Sequence, residues 1–372
     1  MKILELCTSN GLGGLELYFL ACTHRFIEMQ YECVPVVLRD SPLDIKFRKT
    51  NITPIILKNN SRYLPLLNAY RLARFIDSNN IELIHMHWAK DLVLAVLSKL
   101  LSKRKPKLVY TRHMEIYGDK HDPYHRFVYK NVDLMLTGTS RMRQQAITNL
   151  PMPSERIRAL HLGIPDYSGN RQQDRDNFRS KNGIPPQAFL IGLVGRIEPG
   201  KRQHILIDAL ESVVDQHPEI FGVIVGAQHD KKYFEKLTRQ VNEGVLKDRV
   251  LFIGFSDQPR KAMASFDVAV LTTSCETFGL VLIEAMSTGT AVIGTRACGV
   301  KEIIDEEKNG LMFQPDNAKD LASKILMLYQ DSNLRKSLGD SGKTKIKEFF
   351  TEEIHWKKLV AFIENLLNLE PK

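Results

Sequence analysis

The chain has 372 residues, which is long enough for two domains that each bury a core. No charge-free apolar run approaches 18 residues, so we expect no membrane-spanning helix, and the N-terminus runs straight into a strand-like pattern without a secretory signal. The net charge of +9 is uneven: residues 1–165 hold 24 Lys and Arg against 14 Asp and Glu, whereas the other 207 hold 28 against 29. A basic half suits a phosphorylated acceptor, an anionic membrane surface or nucleic acid, and it is equally compatible with a surface excess that has no role.

The first half of the chain predicts a doubly wound α/β unit. Residues 2–7 alternate like a strand, turn through a glycine-rich stretch at 8–16 and enter a helical pattern that ends near Met29. The clearest later helical periods lie at 63–77 and 91–101. Further strands are predicted at 33–38, 81–87, 107–113 and 133–138.

A break in the pattern separates the two halves. Residues 161–186 are rich in Pro, Gly, Asn and charge with little periodicity, which predicts a domain linker. A second β/α series follows, with strands predicted at 189–196, 221–227, 250–255, 267–273 and 290–295. This alternation predicts two parallel-sheet domains that face one another, residues 1–165 and 170–350.

The final stretch, 351–369, predicts an amphipathic helix. Its apolar face is formed by Ile354, Leu359, Phe362 and Leu366.

The five cysteines, at positions 7, 22, 33, 275 and 298, are an odd number without metal-ligand spacing. We therefore expect reduced thiols in a cytoplasmic protein.

The segment SCETFGLVLIEAMSTGTAVIGT (274–295) carries the clearest chemical pattern. Glu276 falls in a loop between a predicted strand and a short helix, and Glu284 lies about one turn inside that helix, at ~1.5 Å rise per residue. The helix start between them offers N–H groups and a partial positive charge that suit a phosphate. Two hydroxyl-seeking carboxylates around an anion site predict a pocket for a nucleotide sugar.

Two cations lie near the predicted entry of the second domain. In GLVGRIEPGK (192–201), Arg196 follows a buried strand and Lys201 precedes a helix. Both therefore fall at the carboxyl edge of the sheet, where open α/β sheets bind ligands. They could neutralise a diphosphate leaving group, although a solvated Arg and Lys beside a turn would give the same pattern.

The 274–295 segment and its surroundings resemble the retaining glycosyltransferases of family 4, which have the GT-B fold. The family pattern is a glutamate, an aromatic-Gly-Leu step, a second glutamate eight positions on, Ala-Met and a Gly-Thr turn. The matching residues here are Glu276, Phe278, Gly279, Leu280, Glu284, Ala285, Met286, Gly289 and Thr290. Thr273-Ser274 replaces the usual Pro-Ser, Thr277 replaces a glycine, and Arg202 stands where a glycine commonly follows the lysine.

The resemblance implies an α/β fold of two facing Rossmann-like parallel-sheet domains with the active site in the inter-domain cleft. It implies that a C-terminal helix, residues 354–372, packs back on the first domain, which binds the acceptor, while the second binds the donor. The implied reaction moves a sugar from a UDP- or GDP-linked donor to a saccharide or lipid-linked acceptor, with retention, no cofactor and no required metal. The expected setting is bacterial surface polysaccharide or lipopolysaccharide synthesis, in the cytoplasm or at the inner face of the membrane.

The resemblance also implies roles for individual residues. The expected catalytic residues are Glu276, Arg196, Lys201 and His113, where Glu276 holds sugar hydroxyls and His113 lies close to the transferred sugar. Glu284 would bind the ribose hydroxyls. The other expected donor-binding residues are Gly13, Gly14, Phe278, Gly279, Leu280 and Val281. Glu16 and Arg112 would contact the acceptor.

Several alternatives remain at this point. A sugar-nucleotide epimerase on the same fold would need acid–base residues that the sequence does not reveal, and a phosphorylase would need a much longer chain. A basic nucleic-acid-binding protein is the third alternative, but only 8% of the residues are aromatic and no aromatic-rich basic surface motif is present. We therefore expect no nucleic-acid partner.

Two charged patterns have competing interpretations. The triplet Asp174-Arg175-Asp176 resembles the acidic motif of metal-dependent transferases, but it lies in the predicted linker without a preceding strand, so we expect no metal site. A cluster of Lys and Arg at 99–107 suits anionic lipid head groups, and a solvated helix end explains it equally well.

Overall fold

The computed structural model describes residues 1–58 and 65–368 and forms two compact units. The first unit comprises Met1–His161 together with the chain from Trp356 onward, and the second comprises Leu162–His355. Each unit is built on one parallel sheet.

The first unit begins with β1, whose buried apolar residues precede the glycine-rich turn that the sequence predicts. Its strands are β1 (Lys2–Cys7), β2 (Glu32–Leu38), β3 (Ile55–Leu57), β4 (Leu83–Met86), β5 (Lys107–Arg112), β6 (Leu134–Thr137) and β7 (Ile157–Ala159). Its helices up to β7 are α1 (Gly14–Glu28), α2 (Pro42–Phe47), α3 (Leu66–Asn79), α4 (Leu92–Leu101), α5 (Pro123–Lys130) and α6 (Ser140–Asn149). The strand order is β3-β2-β1-β4-β5-β6-β7, so the order reverses between β1 and β4.

The second unit repeats this winding. Its helices are α7 (Arg171–Lys181), α8 (Gln203–Glu211), α9 (Lys231–Glu243), α10 (Pro259–Ala264), α11 (Leu280–Ser287), α12 (Val300–Ile303), α13 (Ala318–Gln330) and α14 (Ser332–Phe349). Its strands are β8 (Phe189–Val194), β9 (Ile220–Val225), β10 (Val250–Ile253), β11 (Val268–Leu271), β12 (Ala291–Thr295) and β13 (Leu311–Phe313). They pair in the order β10-β9-β8-β11-β12-β13, which places the reversal between β8 and β11. Alternate β8 residues enter opposite cores, Ile191 and Leu193 on one face and Leu190 on the other, as expected for a sheet covered on both sides.

The last helix, α15 (Glu352–Leu367), contributes to the core of the first unit. Its buried apolar residues are Trp356, Leu359, Val360 and Ile363, whereas the predicted face members Ile354, Phe362 and Leu366 are only partly buried. The apolar face is thus rotated slightly from the predicted one. Residues 369–372 of the predicted helix, and residues 63 and 64 of the helix predicted at 63–77, lie outside the described residues.

The predicted linker at 161–186 is wrong in one respect, because it contains the 11-residue helix α7. The sequence of α7 is too polar to show an apolar helical period, and the helix is stabilised by contacts with residues that follow α10. Arg179 donates to Asp267 at 2.8 Å and to the Ser265 carbonyl at 3.1 Å, and Arg175 also pairs with Asp267. The Asn170 side chain caps the helix start by accepting the N–H of Gln173.

Candidate active site

The reversal of strand order in the second unit brings together two of the predicted residues. Lys201 follows β8 and Glu276 follows β11, and these neighbouring strands end at the same edge of the sheet. The Lys201 Nζ lies 2.9 Å from Glu276 Oε2. The Thr272 hydroxyl, at the end of β11, donates to the Lys201 carbonyl at 2.7 Å and fixes one loop against the other. Open α/β sheets bind ligands at such a switch point.

Arg196 lies on the same turn but points elsewhere. Its guanidinium pairs with Glu198 at 3.0 Å, and the Arg196 side chain is 59% exposed. Glu198 also lies 3.1 Å from His229 Nδ1. The sequence interpretation did not single out Glu198, although an acidic residue two positions after a candidate cation is a usable signal.

Arg202, in the turn between Lys201 and α8, has the left-handed backbone conformation that is typical of glycine. Arg202 has φ +53° and ψ +40°, which is the left-handed conformation that glycine adopts without strain. Its guanidinium forms an ion pair with Asp316. The substitution therefore leaves the turn in place.

The start of α11 is shaped by Gly279. This residue has φ +103°, a conformation that other residues rarely adopt, and it caps the helix. The N–H of Leu282 is bonded to the Gly279 carbonyl, so the N–H groups of Leu280 and Val281 belong to the first turn. The positive end of the helix dipole lies at this turn.

Phe278 anchors the loop that precedes α11. Its side chain is buried and contacts the ring of Phe350 edge-on, with ring centroids 5.8 Å apart. This loop is also bonded to the turn after β12, because the Gly299 N–H donates to the Glu276 carbonyl at 3.0 Å. Phe278 thus fixes the loop from inside the core.

Two cysteines of this loop region are joined, which corrects the expectation of five reduced thiols. Cys275 and Cys298 form a disulfide with a Cα–Cα distance of 5.2 Å, and Cys7, Cys22 and Cys33 are free. The two cysteines follow adjacent strands, β11 and β12, so the fold brings together residues that show no recognisable spacing in sequence.

Glu284 lines a separate pocket of about 650 Å³. The pocket is also lined by residues that precede α7, by the loop before α10 and by the first turn of α10, among them Tyr167, Asp257 and Arg260. Within the described residues the Glu284 carboxylate accepts no hydrogen bond. Burial raises the pKa of this carboxyl, and Arg260 offsets part of the rise. A half-buried carboxylate without a donor partner is costly to the fold, so it suits a ligand that supplies donors.

Two further polar atoms near this edge were not predicted. Thr273 Oγ1 and Gln203 Oε1 are buried without a hydrogen-bond partner among the described residues. Thr273 begins the loop that carries Glu276, and Gln203 is the first residue of α8. A Thr in place of the family's usual proline was the available signal for Thr273.

In the first unit, the glycine-rich loop after β1 is organised by Glu16. The Glu16 carboxylate accepts the N–H of Gly13 at 2.7 Å and the hydroxyl of Ser9. Gly14 starts α1, and a Cβ added there would meet nothing within 4 Å. The structure therefore gives Glu16 a loop-shaping role, while its predicted acceptor contact stays a prediction.

Arg112 has a similar role in the loop after β5. It is buried and donates to the carbonyls of Met114 and Glu115 and to the Tyr110 hydroxyl, at 2.8 to 3.0 Å. The neighbouring His113 is only partly buried, and its Nε2 lies 3.3 Å from Nδ1 of His87. Arg112 thus holds the loop that carries His113, and its predicted acceptor contact stays a prediction.

Comparison with known families decides the assignment. The model described as Glycosyltransferase Family 4 matches residues 12–166, and the model described as Glycosyl transferases group 1 matches residues 174–345. The chain belongs to glycosyltransferase family 4. This membership favours a glycosyltransferase over the epimerase, phosphorylase and nucleic-acid-binding alternatives.

Individual members of family 4 resemble the chain over most of its length. N-acetyl-alpha-D-glucosaminyl L-malate synthase of Bacillus anthracis is 25% identical over 306 residues, which cover 80% of this chain and 77% of that protein. An uncharacterized glycosyltransferase of Methanocaldococcus jannaschii is 27% identical over 365 residues, which cover 95% of this chain and 94% of that protein.

Solved structures confirm the fold of this family 4 member. Anabaena Alr3699/HepE, solved in complex with UDP, superposes with a TM-score of 0.82 at 22% sequence identity. The match covers 98% of this chain and 100% of the HepE chain. A glycosyltransferase from Rickettsia africae has a TM-score of 0.88 at 18% identity, with 98% of each chain covered. The predicted GT-B fold is confirmed.

Proposed function

We propose that this glycosyltransferase transfers a sugar from a UDP- or GDP-linked donor to a saccharide or lipid-linked acceptor, with retention and without a required metal ion or cofactor. The observation that carries the proposal is the Lys201–Glu276 ion pair at the switch point of the second unit, with Glu284 one turn further along α11. The setting we propose is surface polysaccharide or lipopolysaccharide assembly, which rests on the family resemblance.

The geometry suggests how the donor would be held. Lys201 would leave Glu276 and bind the donor diphosphate. Arg196 and the first-turn N–H groups of α11 would bind the same diphosphate. Glu276, released from the ion pair, would accept hydrogen bonds from hydroxyls of the transferred sugar. Glu284 would accept those of the ribose from its pocket.

The same arrangement suggests how the reaction proceeds. Charge that develops on the leaving diphosphate would be stabilised by Lys201 and Arg196, and such preorganised electrostatic stabilisation is usually the largest catalytic contribution. Glu276 and Glu284 would be occupied by hydroxyls, so neither serves as the acid or base of a glycosidase-type pair. Retention would then follow from attack on the face that the diphosphate leaves, assisted by the leaving phosphate.

A direct test combines donor screening with product analysis. Thermal unfolding is measured with UDP, GDP and their sugars, beginning with UDP because Anabaena HepE was solved with it. A ligand at 100 times its Kd adds about 2.7 kcal/mol to the unfolding free energy. Proton NMR of the initial product then reports the anomeric configuration, and an inverted product would overturn the retaining assignment.

The variant Glu276→Ala tests the site itself. We expect it to abolish transfer while the protein stays folded. Glu211→Ala is the matched control, because Glu211 is a partly buried carboxylate that lies at the other end of α8 and bonds to Gln240. Normal turnover by Glu276→Ala would refute the site, as would equal losses in both variants.

A membrane-associated acceptor is supported by one surface of the first unit. Met114, Tyr117, Tyr124 and Phe127 are exposed. Exposed apolar and aromatic side chains suit the interfacial region of a lipid surface. The predicted cluster at 99–107 is a weaker candidate, since Lys99 is paired with Asp133.

No helix among the described residues is long and apolar enough to cross a membrane. We propose that the surface around Tyr117 and Phe127 accounts for lipid binding. We expect Tyr117→Ser with Phe127→Ser to reduce sedimentation with phosphatidylglycerol vesicles, whereas Phe255→Ser, on the second unit, should not. Unchanged binding of the double variant would exclude this surface.

A further inference from the structure

A buried polar network crosses three neighbouring strands of the first unit and ends at His113. Glu5 on β1 is fully buried, as are His85 and His87, which lie on β4 and directly after it. Oε1 of Glu5 lies 2.6 Å from Nδ1 of His85, and Oε2 lies 2.7 Å from Nε2 of His87. The network continues from His85 Nε2 to the Thr111 hydroxyl at 2.7 Å, and from His87 Nδ1 to His113 Nε2 at 3.3 Å.

The network is unusual because a charge lies in a strand that otherwise enters the core. A buried ionised carboxylate is costly unless hydrogen bonds satisfy it, and here both oxygens have imidazole partners. Burial alone would raise the pKa of Glu5, but His85 and His87 outweigh it and the pKa is lowered. Burial lowers the pKa of His87 to about 4, so His87 is neutral near pH 7.

These protonation states determine a direction for the hydrogen bonds. A neutral His87 that donates Nε2–H to ionised Glu5 has its lone pair on Nδ1. That lone pair can only accept from His113, which must then carry its proton on Nε2. The opposite nitrogen of His113, Nδ1, is thereby the acceptor of the ring.

The other described groups around His87 do not supply a competing charge. Tyr18 of α1 contacts His113 and His87 edge-on, with centroids 4.9 and 5.6 Å apart. Burial raises the pKa values of Tyr18 and of Cys22, one turn along the same helix, so both remain protonated. Among the described residues that face His87, Glu5 is therefore the source of negative charge.

We propose that Glu5 is a positioning residue that acts through His87 to hold His113 as the Nε2–H tautomer, with Nδ1 as its hydrogen-bonding nitrogen toward the substrate. This inference rests on the proposed function, in which His113 lies close to the transferred sugar. The Nδ1 lone pair could accept a sugar hydroxyl. Glu5 would make that lone pair more basic through His87, as the carboxylate of a catalytic triad does for its histidine.

The first test does not depend on activity. In protein labelled with ¹⁵N at histidine, two-dimensional NMR at pH 7 reports the tautomer of each ring, and the His113 signals are those lost in His113→Gln. We expect Nε2–H for His113 and a neutral Nε2–H form for His87. A Nδ1–H tautomer of His113 in the wild-type protein would overturn the proposal.

The second test compares two isosteric substitutions, one at the centre of the network and one at the end away from His113. Glu5→Gln should release the His113 tautomer and lower kcat by about 10- to 100-fold, by analogy with the loss of an outer-shell partner of a ligating histidine. The KM for donor should change by less than about three-fold on this reasoning. Thr111→Val is the matched control, because it removes the bond to His85 but leaves Glu5 bonded to His87.

The outcomes separate the possible failures. Equal effects of Glu5→Gln and Thr111→Val on kcat and on the NMR tautomer would show a merely structural role and overturn the proposal. If Glu5→Gln does not fold, the wild-type tautomer still decides. If His113→Gln is fully active and wild-type His113 has the expected tautomer, the proposed role of His113 in the reaction is refuted, while the hydrogen-bond network stands.

A bound metal would also overturn the proposal. Cys22, His85 and His87 offer ligand atoms within 4.8 Å of one another. The test is the zinc content of the purified protein. If zinc is stoichiometric, and a chelator removes it and changes the histidine NMR signals, then the ring nitrogens bind the metal and are not hydrogen-bonded to Glu5.

Discussion

Replacing Glu284 should have opposite effects on donor binding and on stability. The carboxylate lines the pocket near Arg260 and, among the described residues, accepts no hydrogen bond. A hydrogen bond to a charged group contributes about 1.5–3 kcal/mol, so Glu284→Ala should weaken UDP or GDP binding about 10- to 150-fold. Glu284→Gln retains an oxygen acceptor without the charge and should cost about 1 kcal/mol, which is about five-fold in Kd.

The stability effect of Glu284→Gln follows from the raised pKa of this carboxyl. A group that binds its proton more tightly in the native state makes the native state less stable as pH rises from the unfolded-state pKa, about 4.3, through the native one. The destabilisation is complete above the native pKa and absent below the unfolded one. Glu284→Gln should therefore unfold at higher urea concentration than wild type at pH 7, and the difference should shrink toward zero by about pH 4.

Two measurements check this reasoning. Calorimetric titration gives Kd for UDP and GDP, and urea titration at pH 7 and pH 4 gives the unfolding free energies of both proteins. Glu211→Gln is the control for removing a carboxylate, since Glu211 already bonds to Gln240 and should gain no stability. An unchanged Kd in Glu284→Ala would refute the assignment of Glu284 to the ribose. An unfolding free energy of Glu284→Gln no higher than that of wild type at pH 7 would refute the inference that the Glu284 carboxylate lacks a hydrogen-bond donor.

Three other changes have defined outcomes. Lys201→Met should lower kcat by about 10²–10³-fold, by analogy with the loss of an oxyanion-hole donor; a kcat within three-fold of wild type in steady-state assays would contradict it. Reducing the Cys275–Cys298 disulfide should lower the unfolding free energy by about 3 kcal/mol, as expected for a cross-link across 23 residues; superimposable urea curves with and without dithiothreitol would count against this. Arg202→Gly should be about 1 kcal/mol more stable in the same assay than Arg202→Ala, because both lose the ion pair but only glycine relieves the positive φ; equal stabilities would show that the backbone there is unstrained.

The candidate donor site could be predicted largely from sequence. The buried strand patterns before Arg196 and Glu276 predicted that both residues lie at the carboxyl edge of a parallel sheet. The carboxyl ends of parallel strands meet at this edge irrespective of the loop conformations. The contact between Lys201 and Glu276 was not predicted, because it depends on β8 and β11 being neighbours. That adjacency is a property of the sheet order, which periodicity does not reveal.

The network around Glu5 shows a second limit. Glu5 and His85 are 80 residues apart, and their hydrogen bond needs the register in which β1 pairs with β4. A charged residue inside an otherwise apolar strand was the available signal, since such residues are rarely buried without partners. The disulfide between Cys275 and Cys298 has no comparable signal, because it depends on the adjacency of β11 and β12 and on the two loops that follow these strands.

The Lys201–Glu276 pair is better explained by ligand binding than by folding. Both side chains are about a quarter exposed, and ion pairs in such positions contribute about 0–1 kcal/mol to stability. The Arg179–Asp267 pair is different, because Arg179 is 3% exposed and also donates to several carbonyls that hold α7. A weak pair at a switch point can exchange its partner for a diphosphate at little cost, whereas a buried one cannot. Lys201→Met should accordingly leave the urea midpoint almost unchanged while Arg179→Met lowers it, and a large loss of stability in Lys201→Met would mean that the pair holds the fold instead.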